Sequence, residues 1–255
     1  MTTMITAILL SLLMYAPVQG TGASSHISPE IGTIGGIKQQ NVTMDNQARQ
    51  GNGEVLPRSG TLRTGDGRTV TILFFGDSIT AGYGLDPDQA FPSRVQDMAD
   101  SLGYAVEAVN AGVSGETSAG GLRRVDWILQ RPFDIFVLEL GANDGLRGMD
   151  PGHTRDNLQQ IMDKVRDGRP EATIVLTGME APPNMGEDYI LEFRQIFRDL
   201  AESNDVVFMP FILEDVAGEP DLNMADGIHP TAEGHRIIAG NVWKVIEPLL
   251  RKQMH

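Results

Sequence analysis

The chain has 255 residues, 41% hydrophobic and 21% charged, enough for one sizeable core plus an extension. Its formal charge of −14 argues against a nucleic-acid-binding face, which needs clustered Lys and Arg. The chain has no cysteine, which excludes disulfides, thiolate metal sites and a cysteine nucleophile while leaving the compartment open.

The first feature along the chain is an apolar run over residues 5–16, Ile-Thr-Ala-Ile-Leu-Leu-Ser-Leu-Leu-Met-Tyr-Ala. It is shorter than the ~20 residues a membrane span needs. Pro17-Val18-Gln19-Gly20 comes next, with small residues where a signal peptidase would read. This pattern predicts a secretory signal over residues 1–20, cleaved near Gly20, and a periplasmic or secreted protein. Met1-Thr2-Thr3 carries no Lys or Arg, so an uncleaved anchor or a mis-assigned start are the alternatives. Any membrane contact is expected to be transient and confined to this segment. Residues 21–69 are rich in Gly, Ser, Thr, Gln and Asn without a sustained period, which predicts a disordered linker. The folded domain is expected over residues 70–255.

Within that domain five apolar runs alternate with longer amphipathic segments. The runs are Val70–Phe75, Ala105–Val109, Ile135–Leu140, Thr173–Leu176 and Val206–Phe211. Helices are predicted near Gln89–Leu102, Gly120–Gln130, Thr154–Asp167, Asp188–Ser203 and Ala232–Arg251. This alternation predicts a parallel sheet covered by helices on both faces, a three-layer α/β fold. Right-handed crossovers then place every strand's carboxyl end on one edge, where ligands bind in such sheets.

The chemistry-bearing residues lie just past the strands. Gly76-Asp77-Ser78 ends the first run, and Asn110-Ala-Gly-Val-Ser-Gly-Glu-Thr117 the second. Gly141-Ala-Asn-Asp-Gly145 ends the third, and Asp226-Gly-Ile-His-Pro230 comes after the fifth, just before the last helix. Acyl transfer by a serine needs a base and a group that orients the base. Ser78 supplies the hydroxyl, His229 the base, and Asp226 the carboxylate three residues earlier. An oxyanion hole needs donors fixed in advance; the N–H groups of Ser78 and Gly115 and the amide of Asn143 qualify. Each block read alone is an ordinary turn or helix cap. Their conjunction on one sheet edge carries the reading.

These four blocks resemble the SGNH hydrolases, also called the GDSL family, over about Val70–Pro248. The likeness is closest to the thioesterase I/lysophospholipase and arylesterase branch, above all in Asp77–Tyr83, Ser114–Thr117 and Glu139–Gly148. The resemblance implies a flavodoxin-like fold with a five-stranded parallel sheet and a shallow, solvent-accessible site. It implies Ser78 as nucleophile, His229 as general base and later acid, and Asp226 as orienter. Ser78, Gly115 and Asn143 become the oxyanion donors. The nucleophile stands in Gly-Asp-Ser-Ile rather than a Gly-x-Ser-x-Gly elbow.

The expected activity is therefore hydrolysis of short- to medium-chain aryl or alkyl esters, with thioesters or lysophospholipids as further substrates, and with no cofactor, metal or obligatory protein partner. Two rivals stand beside it: removal of acetyl groups from a polysaccharide on the same fold, and a binding module without catalysis. His153 and His235 read as a helix-entry surface residue and a packed residue, with no recognised metal-ligand spacing. Asp77 and Glu139 read as structural carboxylates, and Arg147 as a solvated side chain or a contact for the acyl or leaving group.

Overall fold

The run Val-Thr-Ile-Leu-Phe-Phe-Gly forms strand β1, Val70–Gly76, buried along nearly its whole length. The computed structural model describes residues 62–254, and the expectations for residues 1–61 lie outside the described residues. The remaining strands are β2 (Val106–Gly112), β3 (Ile135–Glu139), β4 (Thr173–Thr177) and β5 (Val207–Met209). They form one all-parallel sheet in the order β2-β1-β3-β4-β5, the flavodoxin-like order.

Seven helices occur among the described residues: α1 (Ser78–Ala81), α2 (Phe91–Ser101), α3 (Ser118–Ile128), α4 (Ala142–Leu146), α5 (Pro151–Gly168), α6 (Glu187–Asn204) and α7 (Ala232–Gln253). Helix α2 packs on α7, and α3 packs on α5, which also touches α6. Successive strand side chains point to opposite faces, and β1 shows it. Phe74 meets Phe91 of α2 edge-on, with ring centroids 5.4 Å apart, while Phe75 lies under Arg124 of α3. A strand covered on both faces can be apolar throughout, which explains the unbroken run. Each fully buried aromatic stabilises the fold by about 1.5–3 kcal/mol relative to exposure.

All five predicted strands and five long helices are present. The short helices α1 and α4 escape the sequence pattern because four or five residues show no helical period. Helix α5 begins three residues before the predicted Thr154, because Asp150 accepts the His153 N–H and Pro151 occupies the first turn. Strand β5 stops at Met209, since Pro210 has no N–H with which to continue the ladder.

Residues 62–69 correct the linker boundary. The Leu62 N–H donates to the Gly103 carbonyl at 2.6 Å, and the Ala105 N–H donates to the Leu62 carbonyl at 2.8 Å. Arg68 pairs with Asp134 at 2.5 Å, and the second oxygen of Asp134 accepts the Thr71 N–H at 2.8 Å. Composition marked this stretch as linker, but partners far along the chain tie it to the domain.

The register sets the level of the site. Gly76 lies opposite both Gly112 and Glu139, so β1, β2 and β3 end side by side. Chain direction across the sheet reverses between β2 and β3, on either side of β1. The crevice outside the β1 and β3 ends is the switch point where such sheets bind ligands.

Candidate active site

Ser78 is the first residue of α1, directly beyond β1. Asp77 caps that helix, its Oδ1 accepting the Ile79 N–H at 3.0 Å. The Ser78 carbonyl accepts the N–H groups of Gly82 and Tyr83 at 3.1 and 3.0 Å, closing the short helix beneath the hydroxyl. Gly76 has no alternative here: a Cβ would run into Thr80 Oγ1 and the Glu139 carboxylate.

Two buried carboxylates hold this corner. Glu139 Oε2 accepts the Asp77 N–H at 3.2 Å and the Thr80 hydroxyl at 2.7 Å. Its Oε1 is buried without a hydrogen-bond partner among the described residues. Burial, reinforced by the charge of Asp77, pushes the Glu139 carboxyl well above the usual carboxylate range. Burial also raises Asp77, against hydrogen bonds from the Ile79 N–H and the Asn143 amide that favour its charged form.

His229 reaches Ser78 from a separate loop. Its Nε2 is 3.1 Å from Ser78 Oγ, and its Nδ1 is 2.7 Å from Asp226 Oδ2. The other Asp226 oxygen accepts the N–H groups of Ile228 and His229 at 2.9 and 3.0 Å. The His229 ring bond, with these two backbone bonds behind it, holds the Asp226 carboxyl well below the usual range. The His229 carbonyl accepts the Met224 N–H at 2.7 Å, and Gly227, with φ of 69°, turns the chain between the pair. Tyr83 covers the imidazole, with ring centroids 4.4 Å apart.

The three residues expected as oxyanion donors, Ser78, Gly115 and Asn143, line one groove of about 370 Å³ with the hydroxyl, together with Tyr83, Leu146 and Ile228. Among the described residues, neither the Ser78 nor the Gly115 N–H donates to a protein acceptor. Gly115, with φ of 79°, is the third residue of a turn closed by the Glu116 N–H on the Val113 carbonyl at 3.1 Å, a type II pattern. Asn143 Nδ2 donates to Asp77 Oδ2 at 3.2 Å.

The structure thus brings together all five residues singled out from the sequence: Ser78, Gly115, Asn143, Asp226 and His229. It also shows groups that were missed or left open. Asp144 is fully buried and accepts the Ser118 N–H at 2.8 Å and its hydroxyl at 2.5 Å, tying α4 to the start of α3. Arg147 Nη2 donates to the Gly115 carbonyl at 3.1 Å. Tyr83 had no marker in the sequence beyond its place in the block after Ser78. His235 is buried; its Nδ1 accepts the Phe91 N–H at 3.1 Å, and burial lowers its pKa to about 4. His153 is exposed at the start of α5.

Comparison with known proteins is consistent throughout. The model of the GDSL-like lipase/acylhydrolase family matches residues 74–237. Esterase TesA of Pseudomonas aeruginosa is 40% identical over 192 residues, covering 74% of this chain and 94% of that protein. The thioesterase 1/protease 1/lysophospholipase L1 of Escherichia coli K12 is 37% identical over 181 residues, covering 71% of this chain and 85% of that protein. Among solved structures, the psychrotrophic esterase EstA from Pseudoalteromonas sp., inhibited by monoethylphosphonate, superposes with a TM-score of 0.67. It is 34% identical and covers 71% of this chain and 98% of its own.

Proposed function

The chain belongs to the GDSL-like lipase/acylhydrolase family and is an ester hydrolase; on that premise we propose that it works by serine catalysis through Ser78, His229 and Asp226, with an acyl-enzyme intermediate. The carrying observation is the continuous chain of hydrogen-bond contacts, Asp226 to His229 at 2.7 Å and His229 to Ser78 at 3.1 Å. Asp226, held ionised, accepts a hydrogen bond from the Nδ1–H and so leaves Nε2 free to take the Ser78 proton.

Ser78 Oγ attacks the ester carbonyl as His229 Nε2 removes its proton. The oxyanion settles among the Ser78 and Gly115 N–H groups and the Asn143 amide; loss of one such donor typically costs about 10²–10³ in kcat. His229 then protonates the leaving alcohol or thiol. It next activates a water that releases the acid and restores the serine. None of these steps calls for a metal or organic cofactor.

The size of the groove and its apolar rim of Tyr83, Leu146 and Ile228 support short- to medium-chain acyl or aryl esters as substrates. Thioesters and lysophospholipids extend the reading by likeness to the Escherichia coli relative. The apolar run over residues 5–16 supports activity outside the cytoplasm; a mature N-terminus at Met1 rather than Thr21 would remove that support. The test is an acyl-chain series of p-nitrophenyl esters, with one acyl-thioester, on wild type and Ser78→Ala. Hydrolysis is expected to peak at short chains and to fall about 10⁴–10⁶-fold in the variant, with the fold retained. Esterase activity retained by Ser78→Ala overturns the assignment.

A further inference from the structure

Arg124, on α3, makes more polar contacts than a helix-surface arginine needs. Its Nε donates to both oxygens of Glu116 at 2.8 and 2.7 Å, and its Nη2 lies 2.5 Å from Glu116 Oε2. The same Nη2 donates to the Ala111 carbonyl at 2.8 Å and the Gly76 carbonyl at 3.2 Å. The flat guanidinium lies 3.9 Å from the Phe75 ring centroid. One half-buried cation therefore joins three places: the end of β1, one residue before Asp77-Ser78; the end of β2; and Glu116, the residue after Gly115.

The loop it grips has little packing of its own. Gly115 is exposed, and a Cβ built on it would meet nothing within 4 Å. Apart from Arg124 and the turn-closing bond of Glu116, residues 113–116 make, among the described residues, two hydrogen bonds: the Val113 N–H on the Gly76 carbonyl at 2.9 Å and Arg147 on the Gly115 carbonyl at 3.1 Å. Core packing does not fix the distance between the Gly115 N–H and Ser78. Hydrogen bonds to the ends of β1 and β2 must do so: the Val113 N–H supplies one to Gly76, and Arg124 supplies one to Gly76 and one to Ala111 while it holds Glu116.

Resting on the proposal that Gly115 is an oxyanion donor, we infer that Arg124 is a positioning residue that sets this donor against the nucleophile. Its planar fork fits a carboxylate on one side and two carbonyls on the other, a pattern a lysine ammonium cannot reproduce. Preorganised donors act through their placement, and a misplacement of 1 Å is enough to cost about 10²-fold.

The experiment uses the full chain with Arg124→Met, which keeps an aliphatic stem over Phe75, together with Arg124→Lys and Glu116→Gln. Arg124→Met and Arg124→Lys are each expected to lower kcat by about 10–100-fold with KM within about twofold. Inactivation by a fluorophosphonate should slow by the same factor, because its phosphoryl oxygen occupies the same hole. Combined with Asn143→Ala, the losses should be less than additive. The midpoint of the pH–rate profile, set by the base, should not move. If Arg124→Met does not fold, Glu116→Gln carries the test: it leaves the carbonyl bonds of Arg124 in place, weakens its hold on the loop, and should still lower kcat. Folded variants with wild-type kcat and wild-type inactivation rates overturn the inference. So does a loss that merely tracks the fraction unfolded. A Ser78→Ala variant that still turns over substrate would instead remove the underlying reading, and the two failures are separable.

Discussion

The two sides of the site are built differently. The nucleophile corner is interior: Asp77 and Glu139 are fully buried and Ser78 nearly so, all anchored at the aligned ends of β1 and β3. The base side is a surface turn, with Asp226, Gly227 and Ile228 exposed and His229 half-buried. The corner is held by contacts between residues about sixty positions apart, such as Thr80 to Glu139. The turn is held by bonds between residues two to five apart, such as Ile228 to Asp226 and Met224 to His229. Stability is therefore invested in placing the hydroxyl, while the base is presented by a local loop that adds little to the fold.

Substitution in the turn should sharpen that contrast most. His229→Ala is expected to lower kcat by about 10⁴–10⁶-fold and Asp226→Asn by about 10³–10⁴-fold. The unfolding midpoint of both should stay within about 3 °C of wild type, a small shift for a domain of this size. A large loss of stability in either variant would contradict the division between the two sides.

The corner should show the opposite balance. Glu139→Ala leaves the Asp77 N–H and the Thr80 hydroxyl without their acceptor in a buried place, at a cost of about 2–4 kcal/mol in urea unfolding. Glu139→Gln keeps an acceptor and should cost less than about 1 kcal/mol at neutral pH. The pH dependence comes from the raised carboxyl. A group that holds its proton more tightly when folded contributes stability that is complete below its unfolded value near 4.5 and is lost as pH rises through the folded value. Glu139→Gln should therefore flatten the decline toward alkaline pH. If Gln is as damaging as Ala, the carboxyl is ionised in the fold and this account of the corner is wrong.

The last effect, confined to acid pH, concerns the second histidine on this part of the chain. His235 is buried with its pKa lowered from 6.5 to about 4, so the folded state binds fewer protons than the unfolded one. Its contribution is complete above 6.5 and lost as pH falls toward 4, by on the order of 3 kcal/mol. Thermal unfolding at several pH values should show a shallower acid slope for His235→Gln. An unchanged slope would assign the acid sensitivity elsewhere.

Much of this was legible in the residues. The apolar runs mark strands because burial on both faces of a parallel sheet leaves no polar alternation, and the glycine-bearing blocks after them carry the chemistry. Asp226 and His229 are three residues apart, so their pairing could be read locally. The start of the domain was not: composition assigned residues 62–69 to a linker, whereas Leu62 pairs beside Tyr104 and Arg68 with Asp134. Arg124 and Glu116 are eight residues apart, outside the three- and four-residue spacing at which helix neighbours meet, so nothing in the sequence joins them.

The sequence by itself determined the class of fold and the inventory of reactive groups, because periodicity and turn chemistry are local properties of a chain. Only the tertiary structure decided how those groups meet. The strand order and register bring Gly76, Gly112 and Glu139 to one level, carry His229 across 151 positions to Ser78, and gather three segments around Arg124. Hydrogen bonds of that kind depend on which strands are neighbours, and that is settled only when the whole sheet assembles.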